Sequence, residues 1–206
     1  MAPVLFISPL FAACSAQVDY YDYVSEYRSG VYIFSEDGEE LKIYCSQRET
    51  PYSSDGIKGE MNSTVEVFYR PEGSPDSVEI SIGDLGGEMS YQSVTQNFYM
   101  CFTADDFDAS SVEVRVTADG SEKTITAMNV REEGVIDGRQ ALKCVTEYDG
   151  ARFEKLTEGA RFSGEIFIRL LYDEGCFYYV GVCDREGNTH SYLLNGTDGR
   201  VLAEKD

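Results

Sequence analysis

Hydrophobic and polar positions alternate with a period of two through most of residues 30 to 130, the spacing of strands with one buried and one open face. Val31-Tyr32-Ile33-Phe34, then Glu36-Asp37-Gly38, then Leu41-Lys42-Ile43-Tyr44-Cys45 reads as a hairpin, because an Asp-Gly pair between alternating runs supplies the positive φ angles of a tight turn. Thr64 to Tyr69 puts Val65, Val67 and Tyr69 on one face. Val78, Ile80 and Ile82 repeat the pattern, and Asn97 to Thr103 adds another run. Val112 to Val116 and Lys123 to Met128 flank Asp119-Gly120, the strongest hairpin signal in the chain. About seven short strands with turn chemistry between them predict an antiparallel β-sandwich over residues 30–131.

The period then changes. Residues 131–138, REEGVIDG, read as a linker, and beyond them Ala141, Leu142, Val145 and Tyr148 form one apolar stripe at helical spacing, from about Gly138 to Tyr148. Phe153 to Leu156 suggests a second turn or helix. Strands return at Glu165 to Tyr172, Cys176 to Cys183, Thr189 to Leu194 and Arg200 to Ala203, joined by polar, glycine-containing turns. Residues 138–206 are therefore expected to form an α+β module, a helix packed on a four-strand antiparallel meander. The fold class expected for the whole is mainly β with an α+β C-terminal part.

Residues 1–13, MAPVLFISPLFAA, carry no charge, and the chain turns polar directly after Cys14. A segment of that length is too short to span a bilayer and has the character of an export signal. The tetrad Phe11-Ala12-Ala13-Cys14 resembles the lipobox of bacterial lipoproteins. That resemblance implies cleavage before Cys14, lipidation of its thiol and an extracytoplasmic chain anchored to the bacterial cell membrane, since two or three acyl chains hold where one binds only marginally. The alternative is a buried N-terminal strand with an ordinary apolar cysteine. Residues 14–29, with Tyr20, Tyr21, Tyr23 and Tyr27 among acids and serines, then read as a tether.

Two further resemblances are of pattern. Residues 30–131 are similar to the immunoglobulin-like modules of exported bacterial proteins, although the chain has no Trp. The tail from Tyr192 to Leu202, with its Gly-x-Val-Leu ending at Gly199, resembles the end of PepSY-type repeats, which implies an exported interaction module or a modulator of a peptidase.

Composition narrows the function. Lys and Arg number 17 against 37 Asp and Glu, a formal net charge of −20, so the basic footprint that nucleic acid requires is missing. Anionic lipid headgroups are repelled too, and membrane attachment has to come through the anchor. The single histidine, His190, lies in a predicted strand with no nucleophile elbow beside it, and is read as a surface or half-buried side chain. One histidine and no C-x-x-C pair exclude the usual zinc sets. Asp105, Asp106 and Asp108 crowd one loop and are weak candidates for calcium, without the Gly and the late Glu of an EF-hand loop. Turn capping is the competing reading. The cysteines after Cys14 stand at 45, 101, 144, 176 and 183, and are expected to be mostly buried thiols. Cys45 and Cys101 are spaced for a cross-sheet disulfide, the one bridge the pattern offers. No cofactor is expected. The reading is a lipid-anchored binding or accessory protein without catalysis, its partner a protein, peptide or glycan. A peptidase modulator and a carboxylate-dependent hydrolase are the alternatives.

Overall fold

The structure is a computed structural model that describes residues 18–51, 57 and 59–206. Cys14, the proposed signal segment and the first residues of the expected tether lie outside them. The fold is mainly β, with two helices among the described residues.

Strands β1 (Val24–Glu36) and β2 (Glu39–Glu49) meet at Asp37-Gly38, where φ is 49° and 86°. The same solution recurs between β8 (Ser111–Ala118) and β9 (Ser121–Asn129), with φ of 47° at Asp119 and 80° at Gly120. Both Asp-Gly pairs thus make the hairpin turns their chemistry favours. Between these hairpins run β3 (Met61–Arg70), β4 (Val78–Ile82), β5 (Leu85–Glu88), β6 (Ser90–Gln92) and β7 (Asn97–Thr103). The seven runs of the sequence pattern are β1 to β4 and β7 to β9. Strands β5 and β6 are short and set in glycine- and serine-containing text that gives no alternation.

One layer has the order β1-β2-β3-β7-β6, and the other is built from β9, β8, β4 and β5. Ile43, Val65, Val67, Tyr69, Val114 and Val116 lie between them as fully buried core. Strand β1 also pairs with β9 at Tyr32 and Ile33, so the two layers are joined along that edge.

Helix α1 (Gly138–Tyr148) begins where the sequence pattern puts it, with Asp137 and Gln140 forming a reciprocal capping box. Ala141, Leu142 and Val145 are buried; Tyr148 is 57% exposed. Helix α2 (Gly150–Lys155) buries Phe153. A small hairpin, β10 (Thr157–Glu158) and β11 (Arg161–Phe162), leads into β12 (Glu165–Tyr172), β13 (Cys176–Cys183), β14 (Thr189–Asn195) and β15 (Val201–Lys205), an antiparallel meander. Ile166, Ile168 and Leu170 point at the helices, and each such side chain contributes about 1.5–3 kcal/mol by leaving water.

The segment expected as a tether is different. Tyr20–Tyr23 form a single 3₁₀ turn capped by Asp19, and the Tyr20 ring centroid lies 4.8 Å from that of Phe153 and 5.3 Å from that of Phe162. Residues 24–28 are the first half of β1, paired in parallel with β12. Tyr27 presses so closely on Gly138 that a Cβ there would collide with its ring, which explains a glycine at the first position of α1. There are two separate cores, yet one 13-stranded hydrogen-bonded sheet runs through both, and β1 is the strand they share.

The expected Cys45–Cys101 bridge is also corrected. Cys45 pairs with Val65 across β2 and β3, whereas Cys101 pairs with Glu66 across β3 and β7. They lie in one sheet with β3 between them and, because Val65 and Glu66 point to opposite faces, on opposite sides of it. Both are free thiols, Cys45 buried and Cys101 exposed.

Candidate functional site

On β2 and β3 the odd positions from Leu41 to Cys45 and from Val65 to Tyr69 face the first core. The alternate positions are polar, charged or aromatic, and strand register gathers them. Glu26 on β1 lies opposite Arg48 on β2 and beside Phe167 on β12; Arg28 lies opposite Ser46 and beside Arg169. Tyr44 is paired with Glu66, and Phe68 with Tyr99. The helices cover the opposite face of β12, and the second sheet covers the opposite face of β2 and β3.

An ion-pair ladder crosses five strands on this face. Arg169 grips Glu26 with both arms, Nε to Oε1 and Nη2 to Oε2, each at 2.7 Å. Arg48 reaches Glu26 at 3.5 Å and donates to Glu66 at 2.9 Å. The Tyr99 hydroxyl donates to Glu66 Oε1 at 3.1 Å and ends the row. The two glutamate side chains are 10% exposed, Arg48 34% and Arg169 38%, so the carboxylates lie beneath their guanidinium partners. Burial alone pushes the Glu26 carboxyl up. Arg169, by hydrogen bonds and charge, and then Arg48 and Arg28 more than reverse it, and the group is held below its ordinary range.

Arg28 differs from its neighbours. Its guanidinium sits 4.1 Å above the Tyr44 ring centroid, its Nε is buried without a hydrogen-bond partner, and burial lowers its pKa. The Tyr44 ring continues into a row of rings: Tyr44 meets Phe68 edge-on at 5.6 Å, and Phe68 meets Tyr99 at 5.0 Å. Val31 belongs to the second core, with Tyr44 packed against that core, so the face is walled where β12 and β9 part from β1. Beyond Tyr44 lies a hollow of about 230 Å³ lined by Glu40, Lys42, Phe68, Arg70 and Asn97, in which Lys42 and Arg70 share Glu40 at 2.6 and 3.1 Å. Five cations stand here against Glu26, Glu40, Glu66 and, at the end of β2, Glu49, a more even balance than in the acidic chain as a whole.

Comparison with protein-family models, with curated proteins and with solved structures finds no match.

The residues singled out in the sequence lie elsewhere. His190 is 7% exposed, not a surface side chain, because it pairs with Val182 on the helix-covered face of the meander. Its Nδ1 is 2.5 Å from Asp206, and its Nε2 makes no hydrogen bond and lies 3.9 Å from Glu204. It lines a groove of about 660 Å³ with Arg152, Ser163 and Asp206. Ser163 shares the groove, but no hydrogen bond joins it to His190, so the pair lacks the contact of a nucleophile with its base.

Asp105, Asp106 and Asp108 do not converge on a cation site; no such group of three exists among the described residues. Asp106 instead turns inward as a cap, accepting from the Ser29 hydroxyl at 2.8 Å and the Tyr32 hydroxyl at 3.3 Å. Burial, followed by this carboxylate, pushes the Cys45 thiol up to about 12. The ladder was hidden in the sequence because each member sits at an ordinary solvent-side position of its own strand. The available signal was that those positions hold Arg, Glu and aromatic residues.

Proposed function

We propose that this chain is an extracytoplasmic binding or accessory protein, held at the membrane by lipid on Cys14, that meets its partner with the arginine, glutamate and tyrosine face of the shared sheet and carries out no reaction of its own. The observation behind the reading is the ladder from Arg169 to Tyr99, which spends charge burial on a sheet face. Partly buried ion pairs add little to stability over apolar packing, so their use here fits recognition and register. A glutamate held ionised is the opposite of what a general acid needs, which argues against the hydrolase reading for Glu26. Among the described residues no helix is long and apolar enough to cross a membrane, and the lipobox-like tetrad supplies the attachment.

The test has two arms. Mass spectrometry of the membrane fraction is expected to find a lipidated Cys14 that Cys14→Ser abolishes, and an unmodified mass in both versions overturns the anchor. A photo-reactive residue placed at Tyr99 is expected to give a discrete partner adduct in situ, and one at Glu113, exposed on the second sheet, is not. The same adducts from both positions overturn the binding face.

A further inference from the structure

Val18, the first described residue, packs against the second core and lines a hollow of about 550 Å³ between the N-terminal turn and the two helices. Leu142 and Phe153 form its apolar wall, and Lys143, Glu147 and Glu154 stand exposed around it. The turn from Tyr20 to Tyr23 is pinned in place by several contacts. Tyr20 meets Phe153 and Phe162 edge-on, Arg139 lies 4.2 Å over the Tyr21 ring, and Arg139 Nη1 donates to Asp19 at 2.9 Å. Val18 is thereby fixed on the helix side of the sheet, the side away from the ladder.

Cys14 stands four residues before Val18. An extended chain spans at most about 3.3–3.6 Å per residue, so the two Cα atoms are no more than about 14 Å apart. A helix with its side chains is already about 10–12 Å across, and the sheet with its outward side chains lies beyond it. If the ladder faced the bilayer, the helix layer and the sheet would both stand between Val18 and the lipid. That exceeds the reach of the link, whereas the helix side lies within it. Charge does not supply the hold. Arg139 and Lys143 stand among Asp19, Asp22, Glu147 and Glu154, an excess of two negative charges, so this surface has no attraction of its own for anionic headgroups.

We infer that the α1–α2 side of the second unit is the membrane-proximal surface, kept against the lipid headgroups by a link too short to let the protein turn over, with the ladder directed away from the bilayer. This rests on lipid at Cys14, and it adds which surface meets the membrane and which is presented to a partner. A partner approaching from the aqueous side then reaches the ladder without displacing lipid.

The experiment uses the lipidated full chain, purified from membranes and reconstituted in phosphatidylcholine vesicles that contain a lipid with a nitroxide on its headgroup. A fluorescent residue is encoded at Lys143, exposed on α1, or at Ser191, on the opposite face of the meander from His190 and the helices. Lys205, exposed and paired with Ser191, serves if the residue at 191 disturbs the sheet. The nitroxide lipid is expected to remove most of the fluorescence at 143 and little of it at 191 or 205. Inserting about ten Gly and Ser residues after Ser15 adds a flexible span of about 17 Å root-mean-square, and is expected to shrink the difference. Equal quenching on the two sides, stronger quenching at 191 or 205, or a difference that the insertion leaves unchanged each overturn the inference. The mass of the same sample separates the two readings. If Cys14 carries lipid and both sides are quenched alike, the orientation is wrong and the anchor stands. An unmodified Cys14 overturns both.

Discussion

Glu26 and Arg169 sit on the two strands that join the cores, β1 and β12, and their coupling can be worked from the geometry. The perturbation is a double-mutant cycle of Glu26→Gln and Arg169→Met. Both hydrogen bonds are 2.7 Å and both partners are charged; the carboxylate is 10% exposed and the guanidinium 38%. A hydrogen bond to a charged group contributes about 1.5–3 kcal/mol, and an exposed ion pair about 0.2–1 kcal/mol. With more than a third of the guanidinium open to water, the pair belongs near the lower end of the first range, at about 1.5 kcal/mol of coupling. Glu26→Gln alone costs more, about 2–4 kcal/mol, because Arg28 and Arg169 then face each other across the seam with one carboxylate fewer. The pH dependence has a defined sign: a carboxyl held low in the folded state adds stability that is complete above its unfolded value of about 4.5 and is lost as pH falls through its lower folded value. Urea unfolding followed by far-ultraviolet circular dichroism at pH 7 and again at pH 3 gives every corner of the cycle. The coupling is expected at pH 7 and is smaller in acid. A coupling of about 0.5 kcal/mol or less at pH 7, the level of an ordinary surface pair, refutes the reasoning.

Two other outcomes follow from the fold. Alkylation of the unfolded, unreduced protein is expected to modify every cysteine from 45 to 183; in the native state Cys101 reacts readily and Cys45, buried and with its thiol pushed up to about 12, does not. A Cys45–Cys101 linked peptide in the digest sinks the register argument. Residues 138–206 produced alone are expected to lose the native fold, because β12 loses its parallel partner and the second core loses Val24 and Val31, whereas the full chain cut within residues 131–134 stays associated. A monomeric 138–206 fragment with a sharp thermal transition refutes this.

What was legible in the sequence was local. The two Asp-Gly hairpins, the helix from about Gly138 and the final meander each rest on residues within about a dozen positions of one another, and all of them appear. The first half of β1 was not legible. Val24 to Arg28 alternates well enough for a strand, but its parallel partner, Ile166 to Arg169, lies about 140 residues away, and tyrosines among acids read equally well as a solvated tether. The cysteines failed for a related reason. Spacing along the chain allowed a bridge, while the parity of Val65 and Glu66 on the strand between them forbids it.

The ladder failed at the same level, and this bears on how the molecule works. Glu26, Arg48, Glu66 and Arg169 come from four strands, and they meet only because β1 serves both layers of structure: its β2 edge carries the row into the sandwich, and its other edge carries it into the meander. Had the modules been beads on a linker, no charge row could have crossed from one to the other. The shared strand therefore does more than join two cores. It fixes Arg169 of the second unit against Glu26 beside Arg48 of the first, so that Arg28 between them is left with a ring beneath it and no carboxylate of its own. A partner reading that guanidinium would contact both units at once. Loosening the seam between β1 and β12 is then expected to disturb the charge row and the second core together, because the register of Glu26 against Arg169 and the packing of Val24 and Val31 both depend on it.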